Sequence, residues 1–293
     1  MKFNKLELSN SRELRPFFKD NECRICDFTF GGTFIWRDYH KTEYAIDEGT
    51  LFFRTQYPGL CFAPPIGAET GIKAYEKIIR YCENANIAPR MCCVTEGVLS
   101  SIMEMFPKSV ATTDRAMSDY LYKSEDLKEL SGRKYSGQRN QISKFIRDNY
   151  SWEFEAVSNE NLSQVKAYFE KHYKENIKDS STYKEGNLKS LEVLEHLKVY
   201  KALGGALFAG GKVIGVSLGE ILGDTLYVHI EKADTSYRGA YQMLTNQFAK
   251  MYAGEGVEFI NREEDDGDEG LRTSKLSYHP HMLLHKYIVQ IVV

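Results

Sequence analysis

The chain has 293 residues, 42% of them hydrophobic and 27% charged, the balance of a globular protein long enough for two domains of ordinary size. Its formal net charge of -3 excludes a protein held on DNA by bulk electrostatics. No run of about 18 apolar residues suits a membrane span, and residues 1–7 lack the apolar stretch of a signal peptide, so a cytoplasmic location is expected.

The six cysteines, at 23, 26, 61, 82, 92 and 93, include one Cys-x-x-Cys pair, Cys23 and Cys26. That pair has no second pair or histidines at zinc spacing, so reduced thiols and no metal site are expected. Phe28-Thr29-Phe30 leads into Gly31-Gly32, read as a break in the chain. Residues 44–54 read as two strands around the turn Asp47-Glu48-Gly49. Ile72, Tyr75, Ile78, Ile79 and Cys82 have the spacing of an amphipathic helix. Residues 119–122 read as a strand closing the first half, and a helical stretch begins at Ser124. The following window, 132–147, carries five basic residues and no acidic one. A boundary near residue 150 divides the chain into 1–150 and 151–293.

The second half opens with a strand over 152–157 and helices over 160–173 and 187–200. A strand over 205–209, a Gly210-Gly211-Lys212 turn, a strand over 213–222, a Gly223-Asp224 turn and a strand over 225–231 form a meander. A turn through Tyr237-Arg238-Gly239-Ala240 leads into a helix over 241–252, a strand over 257–260, an acidic loop, a short helix and a terminal strand over 287–293. This β-α-α-β-β-β-α-β-α-β order is that of an N-acetyltransferase-like (GNAT-like) fold. A glycine-containing turn at a helix start leaves unpaired N–H groups, an anion site. Tyr237, Arg238, Gly239 and Ala240 are therefore the candidate cofactor-binding residues. Tyr241 stands where CoA users have a second glycine and would crowd a pyrophosphate.

Four further segments carry candidate chemistry. Arg133, Lys134, Arg139, Asn140 and Lys144 suit the phosphates of RNA, a nucleotide cofactor or a lipid headgroup, or else form a solvated helix face. His229 and Glu231 alternate on the strand before the turn, so they are expected on one face, where a histidine and a carboxylate suit proton transfer. In the loop 263–269, crowded carboxylates raise one another's pKa, and Asn261 and Glu263, nearest the strand end, are the preferred members. Tyr278 is a candidate acid for the leaving group.

Taken together, Arg133-Lys134-Tyr135, Arg139-Asn140, His229-Ile230-Glu231-Lys232-Ala233, the segment 261–267 and Leu271-Arg272 through Lys275 to Tyr278-His279-Pro280 resemble the family of the phosphatidylglycerol lysyltransferase C-terminal domain. The chain is also similar to Fem-type peptidyl transferases. The resemblance covers nearly the whole chain. It implies an α/β (α+β) protein of tandem GNAT-like domains, each a mixed, mostly antiparallel sheet flanked by helices, the first lacking the cofactor motif. It implies transfer of an aminoacyl group from aminoacyl-tRNA, or of an acyl group from acyl-CoA, to an amine or hydroxyl acceptor. No cofactor is expected to be tightly bound. The acceptor is expected to be a small molecule, a peptide or a lipid headgroup, and Arg272 and Lys275 join the donor-binding residues. The lysyltransferase's membrane-spanning region is expected to have no counterpart here. A non-catalytic module of the same fold, binding a nucleotide, RNA or lipid headgroup, is the alternative.

Overall fold

The computed structural model describes residues 1–19, 23–56, 59–175 and 181–293. These form two compact units, one built from 1–23, 36–118 and 284–293, the other from 24–35 and 119–283. Among the described residues the strands run β1 (Asn4–Lys5), β2 (Glu43–Asp47), β3 (Thr50–Thr55), β4 (Cys61–Phe62), β5 (Ile66–Gly67), β6 (Arg90–Val94), β7 (Val110–Thr113), β8 (Asp119–Lys123), β9 (Trp152–Ala156), β10 (Leu203–Ala209), β11 (Lys212–Leu222), β12 (Thr225–Ala233), β13 (Phe259–Asn261), β14 (Met282–Leu284) and β15 (Tyr287–Gln290).

In the first unit the sheet order is β1-β2-β3-β4-β6-β15-β7, with β5 paired to β3. Glu48 and Gly49 both take positive φ (49° and 76°), the mirror-image turn whose twist suits the β2–β3 hairpin. The helix Ile72–Ala85 presents Ala74, Tyr75, Ile78, Ile79 and Cys82 to Phe52, Phe62 and Met91 of the sheet. This helix crosses between β4 and β6, which pair in parallel through Phe62 and Met91; the other pairings described for this sheet are antiparallel.

The second unit repeats the plan. Its sheet order is β14-β8-β13-β12-β11-β10-β9, and Gly210 and Gly211 (φ 57° and 73°) turn β10 into β11. The helix Ala240–Tyr252 crosses from β12 to the parallel strand β13, burying Met243, Leu244, Phe248 and Ala249 against the sheet. Both units are thus mixed, mostly antiparallel sheets with helices, the tandem GNAT-like class expected.

Three expectations meet a different arrangement. The units divide between Ser118 and Asp119 rather than near 150, because β8 pairs with β13 and so joins the second sheet together with the basic window. The terminal strand β15 pairs with β6 and β7 of the first sheet. Gly31-Gly32 lies inside the helix Phe30–Ile35, and segment 24–35 belongs to the second unit. Within that unit Arg24 anchors the segment, forking onto Asp224 (3.0 and 2.5 Å) with its guanidinium 4.7 Å above the Phe259 ring.

Candidate active site

β12 and β13 pair through Thr225–Phe259, Leu226–Ile260 and Tyr227–Asn261, and there the ladder ends. Beyond it the strands are bridged by two side-chain ion pairs instead of backbone bonds. His229 meets Glu263, and Glu231 meets Arg262.

A β-bulge sends these pairs to opposite faces of the sheet. The β11–β12 register runs Leu218↔Ile230 and then Gly219↔Val228, so His229 is the extra residue. Leu226 and Val228 pack with Phe248 of the helix Ala240–Tyr252, and Glu231 accepts a hydrogen bond from Thr245 of that helix at 3.1 Å. His229 points away from it, into a small apolar cavity lined by Gly31, Ile35, Val193, Tyr200 and Leu218. The expectation that His229 and Glu231 share one face is corrected. Strict alternation fails where one residue is inserted.

His229 sits between two carboxylates. Its Nδ1 lies 2.7 Å from Glu263 Oε1 and its Nε2 lies 3.0 Å from Glu220 Oε1. The Glu220 oxygen also accepts the Gly31 backbone N–H at 2.5 Å. A Cβ on residue 31 would stand 2.5 Å from His229 Nε2 and 2.6 Å from Glu220 Oε1, so this close approach requires glycine. Burial disfavours the charged imidazole, but the two carboxylates outweigh it and push its pKa up to about 10. At neutral pH both ring nitrogens therefore donate. Burial holds the Glu263 carboxyl above its ordinary value, against the pull of the imidazolium.

The loop after β13 fixes Glu263. Its φ is 56°, and its N–H donates to Asn261 Oδ1 at 2.7 Å. Asn261 Nδ2 donates to the Arg24 carbonyl (2.7 Å) and to Asp119 Oδ2 (2.8 Å), so Asn261 shapes the turn. Lys275 is buried, donates to the carbonyls of Arg262 (2.5 Å), Glu263 (3.2 Å) and Glu264, and has its pKa lowered by desolvation. Asp265 is fully buried, accepts from Tyr120 at 2.6 Å and takes a two-pronged bond from Arg272 at 2.9 and 2.8 Å. Arg272 and Lys275, expected at the donor's phosphates, instead hold the loop's own acids and carbonyls. Glu263 and Asp265 each hold their own partner, while Asp266 has its pKa raised by burial and then by the neighbouring Glu264 and Asp265 carboxylates, as expected of crowded acids.

Tyr278, the candidate acid for the leaving group, is buried beside Tyr122 and Tyr135, and burial pushes its hydroxyl up to about 12. Arg262 lies 4.9 Å over its ring. At the Tyr237–Ala240 turn, Gly239 has φ 83°, and a Cβ there would come 2.3 Å from the Gln141 carbonyl oxygen. Arg238 Nε donates to Gln141 Oε1 at 3.2 Å. The glycine thus admits the close approach of the helix Ser136–Asp148. In the basic window, Arg139 donates to the carbonyls of Leu130 and Gly132, capping the helix Ser124–Glu129, and Lys134 lies 3.6 Å from Asp126. Arg133 and Asn140 are exposed and Lys144 is half-buried.

Sequence reasoning missed Glu220 and Gly31. Glu220, the one acid inside the strand β11, was the available signal. Cys26, Asp119 and Glu264 bring three donor atoms within 4.8 Å of one another, a donor set of the kind that holds a divalent cation.

The sequence pattern of the family described as "Phosphatidylglycerol lysyltransferase, C-terminal" matches residues 20–290. A conserved protein of unknown function from Bacteroides thetaiotaomicron is 29% identical and superposes with a TM-score of 0.89 over 100% of both chains. The C-terminal domain of a putative lysylphosphatidylglycerol synthetase from Agrobacterium fabrum is 15% identical (TM-score 0.67, 97% of this chain and 92% of that one). FemX shares the fold at 8% identity (TM-score 0.58, 100% of this chain and 98% of that one). An uncharacterised protein of Mycoplasmoides gallisepticum is 25% identical over 182 residues, which span 60% of this chain and 56% of that curated relative's length.

Proposed function

We propose, from the premise that this chain belongs to the phosphatidylglycerol lysyltransferase C-terminal family, that it moves an aminoacyl group from aminoacyl-tRNA to an amine or hydroxyl acceptor. The observation that carries this reading is the buried Glu220–His229–Glu263 row at the end of the β12–β13 ladder. A lone pair of the acceptor attacks the ester carbonyl carbon, and the carbonyl electrons shift to oxygen. On collapse the bond to the ribose oxygen breaks. Glu263, its proton affinity raised by burial, takes the acceptor's proton and returns it to the ribose oxygen. His229 fixes both carboxylates and offsets their charge. The apolar wall of the adjoining cavity keeps these interactions strong by excluding water.

The packing of Gly239 against Gln141 favours tRNA over acyl-CoA as donor, since a neighbouring helix approaches the glycine that would meet a pyrophosphate. Thermal-shift and native mass measurements with charged tRNA, acetyl-CoA and CoA test this choice. Charged tRNA is expected to bind and raise Tm, with CoA inert. A shift with CoA alone reverses the donor. No transfer by the wild type from either donor favours the non-catalytic binding module.

A further inference from the structure

Three segments far apart in the sequence bring a thiol and two carboxylates together within the second unit. Cys26 Sγ lies 3.6 Å from Asp119 Oδ1 and 3.7 Å from Glu264 Oε2, across sequence separations of 93 and 238 residues. The three residues offer donor atoms that all lie within 4.8 Å of one another. Cys26 is 6% exposed and Asp119 is fully buried, whereas Glu264 is half-buried, so the cluster reaches solvent at Glu264. Asp119 Oδ2 accepts the Cys26 backbone N–H at 2.7 Å and Asn261 Nδ2 at 2.8 Å, which turns Oδ1 towards the sulfur.

Hydrogen bonding alone does not account for this arrangement. A thiol has one hydrogen to donate, yet three carboxylate oxygens approach Sγ at nearly equal distance, the third being Asp27 Oδ2 at 3.7 Å. Lys275, whose charge lies near Asp119 and Glu264, gives its three donors to the carbonyls of Arg262, Glu263 and Glu264. Buried charges are paired or coordinate metals, and the spacing here suits coordination. Zinc bonds of about 2.3 Å to sulfur and about 2.0–2.2 Å to oxygen, at tetrahedral angles, set sulfur–oxygen edges of about 3.5–3.7 Å. The distances from Sγ to Asp119 and Glu264, 3.6 and 3.7 Å, fall on those edges.

We infer that Cys26, Asp119 and Glu264 are the protein ligands of a zinc ion, with solvent in the fourth position beside Glu264. The thiol loses its proton to solvent on binding, and the sulfur coordinates as thiolate. A thiolate beside two carboxylates selects zinc over magnesium, which takes oxygen ligands. The ion ties the segment 24–35, which carries Gly31 to Glu220, to β8 and to the loop that carries Glu263. Cysteine and histidine spacing gives no sign of such a site, because both carboxylates come from distant elements. The assignment uses neither His229, Glu220 nor Glu263 and stands independently of aminoacyl transfer.

Calorimetric titration of the chelator-stripped full chain with zinc tests the site. Saturable binding that raises Tm is expected, with an excess of magnesium failing to displace the ion. Cobalt in place of zinc is expected to show thiolate-to-metal charge-transfer absorption. Cys26→Ser is expected to abolish that absorption and, like Asp119→Asn, to weaken zinc at least about 100-fold, the upper end of what losing an outer-shell partner costs. Glu264→Gln, at the half-buried position, is expected to weaken zinc likewise and keeps the test decisive should a buried variant fail to fold. Cys93→Ser, at a half-buried thiol of the first unit, is expected to change neither affinity nor absorption. The assignment is overturned by a wild type that binds no zinc saturably, or by displacement of zinc by magnesium. Unchanged affinity in folded Cys26→Ser or Glu264→Gln also overturns it, since the zinc is then adventitious.

Discussion

His229 lies between Glu220 and Glu263 at hydrogen-bond distance, buried with both. Its ring keeps a proton in the folded state to about pH 10, against 6.5 for the free side chain. The folded-state pKa is raised, so the stabilisation is full below about pH 6.5. It declines as pH rises, since the unfolded chain has then released a proton that the folded chain retains, and it is lost above about pH 10. Urea midpoints of the wild type minus those of His229→Gln, measured from pH 6 to 10.5, should therefore shrink with rising pH. A difference that is flat across this range contradicts the charged imidazole. At low pH the variant should be less stable by about 3–5 kcal/mol, the cost of leaving buried charges without their partner.

At the scale of elements, the strand and helix types were legible because their periodicity is local. Residues 44–54 and 205–231 fold as read, with glycines at positive φ where the tight turns require them. Sheet membership was not legible for β8 and β15, because a strand's partners are set by distant residues. The bulge at His229 was also hidden, and with it the separation of His229 from Glu231, since one inserted residue leaves no mark in composition. Gly31-Gly32 looks like a break in sequence, yet it is a helix surface shaved to let Glu220 and His229 approach. Gly239 was recognised as a marker, but its neighbour is Gln141 of another helix. Gly239→Ala is therefore expected to cost about 1–3 kcal/mol, from an over-packed contact at a residue with positive φ. Equilibrium urea unfolding measures it. A variant as stable as the wild type refutes the packing role and reopens the turn to a ligand.

Across the whole molecule, the family match over residues 20–290 takes in both compact units. Among the described residues each unit has one parallel strand pair joined across a helix, between β4 and β6 and between β12 and β13. The acidic row and the Glu231–Arg262 cluster lie in the second unit, at the end of its parallel pair. No helix among the described residues is long and apolar enough to cross a membrane. The family resemblance could be read from segments such as His229–Ala233 and the loop after β13, whereas the partners of their side chains had to come from the fold. The most direct test of aminoacyl transfer is the movement of radiolabelled amino acid from a charged tRNA pool to amine and hydroxyl acceptors, compared between the wild type and Glu263→Gln. The expected result is wild-type transfer that falls by about 10²–10⁴-fold in a folded Glu263→Gln, the usual contribution of a positioned base. Equal transfer by the two proteins, or none by the wild type from any charged tRNA, would contradict it.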